Sequence, residues 1–267
     1  MIRKPVVSGQ FYPQRTEDLR KTIEEFDPKE SCKISAKGII MPHAGYVYSG
    51  RVAVNAASKV LARKRLIILG PNHTGLGGNF SLWPKGAWQI PFGEIKIDEK
   101  LAQEILSKGD YIKSDWDAHL QEHSIEVELP ILHYFFTEFS FVPITCKTAS
   151  LETYHAVAAQ IVEAVKNIKD EILFVASTDL THYEQDATAR KKDRFAIEAI
   201  VNLDEKELID KIDMFNISMC GIAPVAILIS CLKKLGAKKS QVALYQTSGD
   251  SSGDYSAVVG YVGMIIN

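Results

Sequence analysis

The chain has 267 residues, of which 46% are hydrophobic and 24% charged, and its formal net charge is −2. This balance gives no electrostatic reason to expect nucleic acid or an acidic membrane surface as a partner. No stretch approaches the roughly 18 consecutive apolar residues of a membrane span, and the first residues lack the apolar segment of a signal peptide, so we expect a cytoplasmic protein.

Apolar runs typical of buried strands alternate with helical segments along the chain. In chain order the segments are a strand over 37–43, a helix over 50–63, a strand over 65–73, an aromatic and glycine-rich hairpin or surface excursion over 79–98, a helix over 150–167, a strand over 170–182, a helix starting after Asp204, a helix between Pro224 and Gly236, and strands over 241–249 and 255–266. This alternation predicts an α/β fold: a single domain, 1–267, with a central, mainly parallel or mixed β-sheet and helices on both faces.

Three of the strand candidates end in histidine, at His43, His73 and His182. Ligands of open α/β sheets bind beyond the carboxyl ends of the strands, so parallel strands would bring these rings to one edge. Imidazole is the commonest metal ligand and the commonest proton-transfer group near pH 7. The pattern therefore favours a site, although a single strand-end histidine is more often structural.

The residues around these termini offer supporting chemistry. Asp179 precedes His182 by three positions and could orient its ring or simply cap a turn. Glycines 75, 77 and 78 follow Asn72-His73 and could let the backbone approach a ligand or form a flexible turn.

The segment DAHLQEHSIEVELPILHYF contains three more histidines. If it is helical, His119 and His123 lie on one face, as do His123 and Glu126. Its many apolar residues indicate core packing. We therefore predict His123 as a lining residue of the site and treat His119 and His133 as structural.

Cys220 precedes the helix that Pro224 helps to start. A thiol at a helix N-terminus has a lowered pKa, and the thiolate is the form that binds metal or attacks an electrophile. A buried, inert cysteine is the alternative. The four cysteines are widely spaced, which predicts free thiols in a reducing compartment: Cys32, Cys146, Cys220 and Cys231.

The motifs PHAGYVYSG, LGPNH, EHSIEVELP, STDLTHY and CGIAP, in this order, resemble the Memo family. The resemblance covers nearly the whole chain and implies a fold like that of the class III extradiol dioxygenases, which are non-haem iron enzymes. It implies a single metal held by His43, His73 and Cys220, with Fe(II) or copper favoured over zinc. It also implies that His182, Asp179 and His123 line the same pocket, and that a radical-SAM protein could be a partner. We assign catalysis to these three pocket residues.

Two further residues are assigned to ligand binding, namely Tyr46 and Asn72. The leading interpretation is a metal-dependent oxidoreductase, dioxygenase-like, acting on a small-molecule or peptide ligand. The cysteine in place of the dioxygenases' carboxylate ligand weighs against dioxygenase chemistry, because a thiolate prefers softer metals and is itself oxidisable. Two alternatives remain open: a peptide- or phosphotyrosine-binding module without turnover, and a zinc hydrolase.

Overall fold

The strands of the chain join into one mixed sheet. The computed structural model describes the backbone of residues 1–267 and the side chains of residues 1–169 and 171–267. Within that chain the strands are β1 Ile2–Arg3, β2 Gly38–Met41, β3 Arg65–Pro71, β4 Phe80–Leu82, β5 Ala87–Ile90, β6 Gly93–Ile97, β7 Lys113–Ser114, β8 Ser140–Cys146, β9 Ile172–Ser177, β10 His182–Glu184, β11 Ser240–Thr247 and β12 Val258–Ile266.

The centre of the sheet is parallel from β6 to β2, and antiparallel pairs lie on both sides of it. The main path runs β1-β5-β6-β8-β3-β9-β2-β12-β10, and β3 pairs in parallel with both β8 and β9. β2 continues the parallel block beside β9, whereas β12 runs antiparallel to β2, β10 and β11. The predicted mixed α/β sheet is therefore confirmed, and the carboxyl ends of β2, β3 and β9 lie side by side.

Helices connect and cover these strands. They are α1 Thr16–Phe26, α2 Tyr46–Ser58, α3 Glu99–Ser107, α4 Asp117–Leu120, α5 Glu128–Phe136, α6 Leu151–Val165, α7 Asp186–Val201, α8 Glu205–Phe215, α9 Ile222–Lys234 and α10 Gly249–Ser252, with a 3-10 turn at Lys169–Glu171.

Two glycines show that α2 and α9 pack on opposite faces of the sheet. A side chain at Gly38 of β2 would collide with Leu232 of α9, and one at Gly263 of β12 would collide with the backbone of Val52 in α2. Gly38 pairs with Ile266 across the two strands, and residues 263 and 266 point to opposite faces because side chains alternate along a strand. Both helices therefore lie close against the sheet, one on each side.

Several helices begin or end at residues that cap them. The Ser150 side chain accepts a hydrogen bond from the backbone of Thr153, and the Asp204 side chain accepts one from Glu207. These bonds satisfy otherwise unpaired amides in the first helical turn. Gly236 follows the end of α9 in the left-handed conformation, as predicted.

Three of the sequence-based predictions change in ways that matter for the site or the core. α2 begins at Tyr46 and not at residue 50, because Gly45 provides an extended N-cap and the Tyr46 amide binds the Phe11 carbonyl. β9 ends at Ser177, five residues before His182. The 79–98 segment contains the β5–β6 hairpin, but Trp83 and Trp88 are buried core residues, so it is part of the sheet and not a surface excursion.

An ion pair in the interior attaches the N-terminal segment to the middle of the chain. Arg3 and Glu126 are both buried and lie 2.8 Å apart. Arg3 also donates to the carbonyls of His119 and Glu122, while Glu126 accepts from the amides of Val6 and Val7. These bonds fix the end of α4 and the non-helical residues 121–126 against β1.

No helix within the described residues combines the length and apolar character needed to cross a membrane. The four cysteines are free, as predicted.

We predict that Arg3→Met lowers the free energy of unfolding by about 3–5 kcal/mol, because it leaves the Glu126 carboxylate buried without its charged partner. Urea denaturation measures the loss. Arg194→Ala, which removes the exposed Arg194–Glu198 pair, is the control and should leave stability almost unchanged. An Arg3→Met protein as stable as the unsubstituted one would contradict this role of the ion pair.

Candidate metal centre and cavity

Three histidines from separate parts of the chain meet beyond the carboxyl ends of the parallel strands. His43 follows β2, His73 follows β3, and His123 lies in the non-helical segment between α4 and α5. One ring nitrogen of each lies within 4.8 Å of those of the other two. The ring centroids are 5.2 Å apart for His43–His73, 5.6 Å for His43–His123 and 4.8 Å for His73–His123. The group has the composition and spacing of a metal site.

Glu122 holds two of these histidines in place. Its buried carboxylate accepts hydrogen bonds from the His73 ring at Nδ1, 2.9 Å away, and from the amides of His73, His123 and Ser124. Although burial opposes ionisation, these bonds and the nearby imidazoles lower the pKa of Glu122 to about 2. Burial would lower the pKa of His73, but the hydrogen bond and charge of Glu122 outweigh it and raise that pKa. Because Nδ1 of His73 is hydrogen-bonded to Glu122, Nε2 is the nitrogen of this ring that could bind a metal.

His43 is held from the opposite side of the centre by Ser177, the last residue of β9. The Nδ1 of the buried His43 ring lies 2.7 Å from Ser177 Oγ. Burial, together with the neighbouring imidazoles of His73 and His123, places the pKa of His43 well below its ordinary value. His43 is therefore a neutral imidazole, and a neutral imidazole is the form that binds metal.

His123 completes the group from a loop. Burial lowers its pKa, its ring stacks on His73, and Phe11 packs edge-on against it at 5.0 Å. Because α4 ends at Leu120, His119 and His123 do not share a helix face. His119 is buried between Trp83 and Trp88 and donates to the Ser81 carbonyl, consistent with a structural role.

Cys220 lies beside His43. Its Sγ is 3.4 Å from His43 Nε2 and accepts a hydrogen bond from the Asp179 amide. The predicted low thiol pKa is wrong for this environment, because burial and the charge of Asp179 raise the pKa of Cys220. A thiol in that position would need a metal ion to lose its proton.

Asp179 and His182 lie at the same site but do not form the predicted pair. The Asp179 carboxylate accepts from the His43 amide at 3.0 Å, and burial raises its pKa to about 6. The His182 ring instead donates through Nδ1 to the Ser218 carbonyl at 2.8 Å. Ser218 therefore orients His182, and the Nε2 of His182 is available as a proton acceptor.

A cavity of about 600 Å³ opens over the histidines. Its floor contains His43, His73, His123 and Asp179, and its walls carry aromatic side chains. The aromatic residues that line it are Phe11, Tyr48, Tyr183 and Tyr261. Tyr183 is 79% exposed and sits at a β-bulge with a positive φ of 57°, a conformation that tyrosine rarely adopts. The cavity is large enough for a small organic molecule.

The structure places the two predicted ligand-binding residues outside this cavity. Tyr46 is buried and its hydroxyl donates to the Val127 carbonyl. Tyr48, two residues further along α2, lines the cavity. The Asn72 side chain accepts from the Gly75 amide and donates to the Leu76 carbonyl. It therefore stabilises the glycine turn, and that turn does not line the cavity.

Comparison with known proteins yields a consistent set of relatives. A family model described as Memo-like protein matches residues 3–265. A MEMO1 family protein of Methanopyrus kandleri is 42% identical and aligns over 99% of both chains. A MEMO1 family protein of Aquifex aeolicus is also 42% identical, over 99% of this chain and 98% of its own.

A solved structure shares the fold at low sequence identity. The crystal structure of an uncharacterized protein from Escherichia coli K12 superposes with a TM-score of 0.53 and 10% identity, covering 85% of this chain and 98% of that one. At this identity the likeness supports the α/β architecture alone.

We predict that Glu122→Gln lowers metal affinity by about 10–100-fold, since carboxylates that orient metal-binding histidines have effects of that size. Isothermal titration of metal-free protein with Zn²⁺ measures this. Glu205→Gln is the matched control, because Glu205 is also buried and also contacts a histidine, His155, but lies on α8. Equal affinities for the two variants would contradict the role of Glu122.

We also predict a pH signature in the metal-free protein. The pKa of Glu122 is about 2 when folded against an ordinary value of 4.5, so its stabilising contribution is present above about pH 4.5 and is lost as pH falls towards 2. The stability advantage over Glu122→Gln should shrink across that interval in urea denaturation. A difference that stays constant from pH 6 to pH 2.5 would contradict this assignment.

Proposed function

Because the chain belongs to the Memo family, we propose that it binds a single redox metal through His43 and His73 and works as a non-haem oxidoreductase, dioxygenase-like, on a small organic molecule. The observation that carries the proposal is the meeting of three imidazoles, with nitrogens within 4.8 Å of one another, at the floor of a cavity of about 600 Å³.

The donor atoms fit a metal ion of ordinary size. Metal–nitrogen bonds of about 2.0–2.1 Å place two ligands of one ion at most about 4.2 Å apart, so small ring rotations complete the site. His43 and His73 each use Nδ1 in a hydrogen bond, with Ser177 and Glu122 respectively, so Nε2 is the nitrogen of each ring available to a metal. The neighbour of Nε2 on His43 is the Cys220 sulfur at 3.4 Å. Imidazole suits iron, copper and zinc, and we favour Fe(II) or copper, with zinc as the other candidate.

The third ligand is either His123 or Cys220. A ring nitrogen of His123 lies within 4.8 Å of those of both His43 and His73, whereas the Cys220 sulfur lies 3.4 Å from His43 Nε2. The Cys220 thiolate would bring a negative charge and a soft sulfur donor to the metal centre, whereas the His123 imidazole would bring an uncharged nitrogen donor. The proposal includes both candidates, and the cobalt(II) experiment described below decides which of them is the third ligand.

The protein's own groups would bind the substrate and move its protons. A redox metal would supply electron transfer and polarise a substrate oxygen. His182 would accept a proton at Nε2, because its Nδ1 hydrogen is committed to Ser218. Phe11 and Tyr48 would exclude water from one side of the cavity, and Tyr183 offers a face for stacking at its mouth.

A zinc hydrolase is the second candidate. The specific observation in its favour is Asp179, a carboxylate at the cavity floor with a pKa raised to about 6, which suits a general base for a zinc-bound water. Phosphotyrosine binding has weaker support, since no lysine or arginine is among the described residues that line the cavity, and phosphate recognition relies on such groups.

We predict that protein purified without oxygen carries one equivalent of iron or copper, and that His43→Ala and His73→Ala each remove it. Elemental analysis measures the content. His155→Ala, which changes a partly exposed histidine on α6, is the control and should keep its metal. Full metal content in both site variants would refute the ligand assignment, and zinc with esterase or peptidase turnover would favour the hydrolase.

The third ligand can be identified with cobalt(II). Coordination by the Cys220 thiolate produces a sulfur-to-metal charge-transfer band in the near-ultraviolet spectrum, and coordination by three imidazoles does not. If Cys220 is the ligand, Cys220→Ser removes the band and His123→Ala preserves it. If His123 is the ligand, the band is absent from the unsubstituted protein and His123→Ala weakens cobalt binding.

A further inference from the structure

We propose that Glu128 is kept as a neutral carboxylic acid that donates to Ser177, and that Ser177, whose own hydrogen goes to the Ser124 carbonyl, is a positioning residue that fixes the His43 ring with its hydrogen on Nδ1. The inference deepens the proposed function, because it explains why Nε2 of His43 is the nitrogen presented to the metal. It rests on counting hydrogen-bond donors around one serine hydroxyl.

The Ser177 hydroxyl has three close polar neighbours. His43 Nδ1 lies at 2.7 Å, Glu128 Oε1 at 2.7 Å and the Ser124 carbonyl oxygen at 2.8 Å. All four groups are buried. A hydroxyl carries one hydrogen and two lone pairs, so it donates once and accepts twice.

The carbonyl of Ser124 decides where the single hydrogen goes. A carbonyl oxygen can only accept, so the Ser177 hydrogen points at Ser124. The remaining two contacts must then be donations to Ser177, one from His43 Nδ1–H and one from Glu128. Glu128 can donate only when its carboxyl group is protonated.

The surroundings of Glu128 agree with a neutral acid. The side chain is fully buried, and its second oxygen, Oε2, has no hydrogen-bond partner. An unpartnered oxygen is far less costly on a neutral acid than on a carboxylate. Burial, opposed in part by Ser177, raises the pKa of Glu128 well above its ordinary value, and Asp179 adds to the increase.

The two histidines of the centre are therefore supported by different chemistry. His73 donates to an ionised carboxylate, Glu122, whereas His43 donates to a neutral hydroxyl backed by a neutral acid. An ionised partner increases the basicity of a metal-bound imidazole, and a neutral partner does not. On their Nδ1 sides the two rings therefore meet one negative charge, that of Glu122, while the Asp179 carboxylate lies 3.9 Å from Nε2 of His43.

The protonation state can be tested by infrared difference spectroscopy of the metal-free protein at pH 7. Unsubstituted protein minus Glu128→Gln should show the C=O stretching band of a buried carboxylic acid. Asp193→Asn changes another buried acid, which contacts Tyr245 and Thr181, and this control should leave the Glu128 band in place. Absence of the band would overturn the proposal.

The positioning role can be tested by the tautomer of His43, read from ¹⁵N–¹H correlations of histidine-labelled, metal-free protein and assigned with His43→Gln. Unsubstituted protein and Glu128→Gln, whose amide can still donate, should hold the hydrogen on Nδ1. Glu128→Met should hold it there too, because the Ser124 carbonyl still takes the Ser177 hydrogen, whereas Ser177→Ala should populate the other tautomer. An unchanged tautomer in Ser177→Ala would overturn the role.

Metal affinity completes the test and separates it from the proposed function. Zn²⁺ affinity should fall about 10–100-fold in Ser177→Ala and stay near that of unsubstituted protein in Glu128→Gln, whose amide can still donate to Ser177. A loss of the same size in Glu128→Gln would overturn the assignment of Glu128 as a neutral acid. The infrared and tautomer results require no bound metal, so they stand even if the oxidoreductase proposal fails.

Discussion

The candidate site depends on one buried carboxylate, Glu122, which binds two stretches of chain that are far apart in sequence. It accepts from the His73 amide and ring after β3, and from the amides of His123 and Ser124 before α5. Charge-assisted bonds of this kind are stronger than those between neutral groups, and burial protects them from water. Together with the Ser124 hydroxyl, which donates to the Pro71 carbonyl at 2.9 Å, Glu122 holds the His123 loop against the end of β3.

The same segment is stabilised from its other side by the N-terminal residues. Arg3 donates to the carbonyl of Glu122 itself and pairs with Glu126, so the loop has one face bonded to β1 and the other, through the Glu122 carboxylate, to the candidate ligand His73. Both ends of the loop are thus fixed by charged groups in the interior. A site built in this way is organised before any metal binds, which lowers the entropic cost of binding.

The sequence predicted the parallel strands and the convergence of His43 and His73, because strand period and strand-end histidines are local signals. It could not predict Glu122, since nothing in QEHSIE distinguishes a carboxylate that binds backbone amides from one on a surface. His123 was predicted at the site, but its position on a loop follows from the early end of α4. Tyr46 was predicted at the site but is buried in the core. Because α2 begins at Tyr46, directly after Gly45, the Tyr46 side chain points into the core and the Tyr48 side chain into the cavity. The likeness of the fold to extradiol dioxygenases stays a prediction.

The most direct measurement of the central claim is anomalous diffraction, at the absorption edge of the bound metal, from crystals of loaded protein kept without oxygen. The account predicts one strong peak among the rings of His43, His73 and His123, close to the Nε2 atoms of the first two. A peak elsewhere in the molecule, or no peak in protein shown by elemental analysis to contain metal, would contradict it.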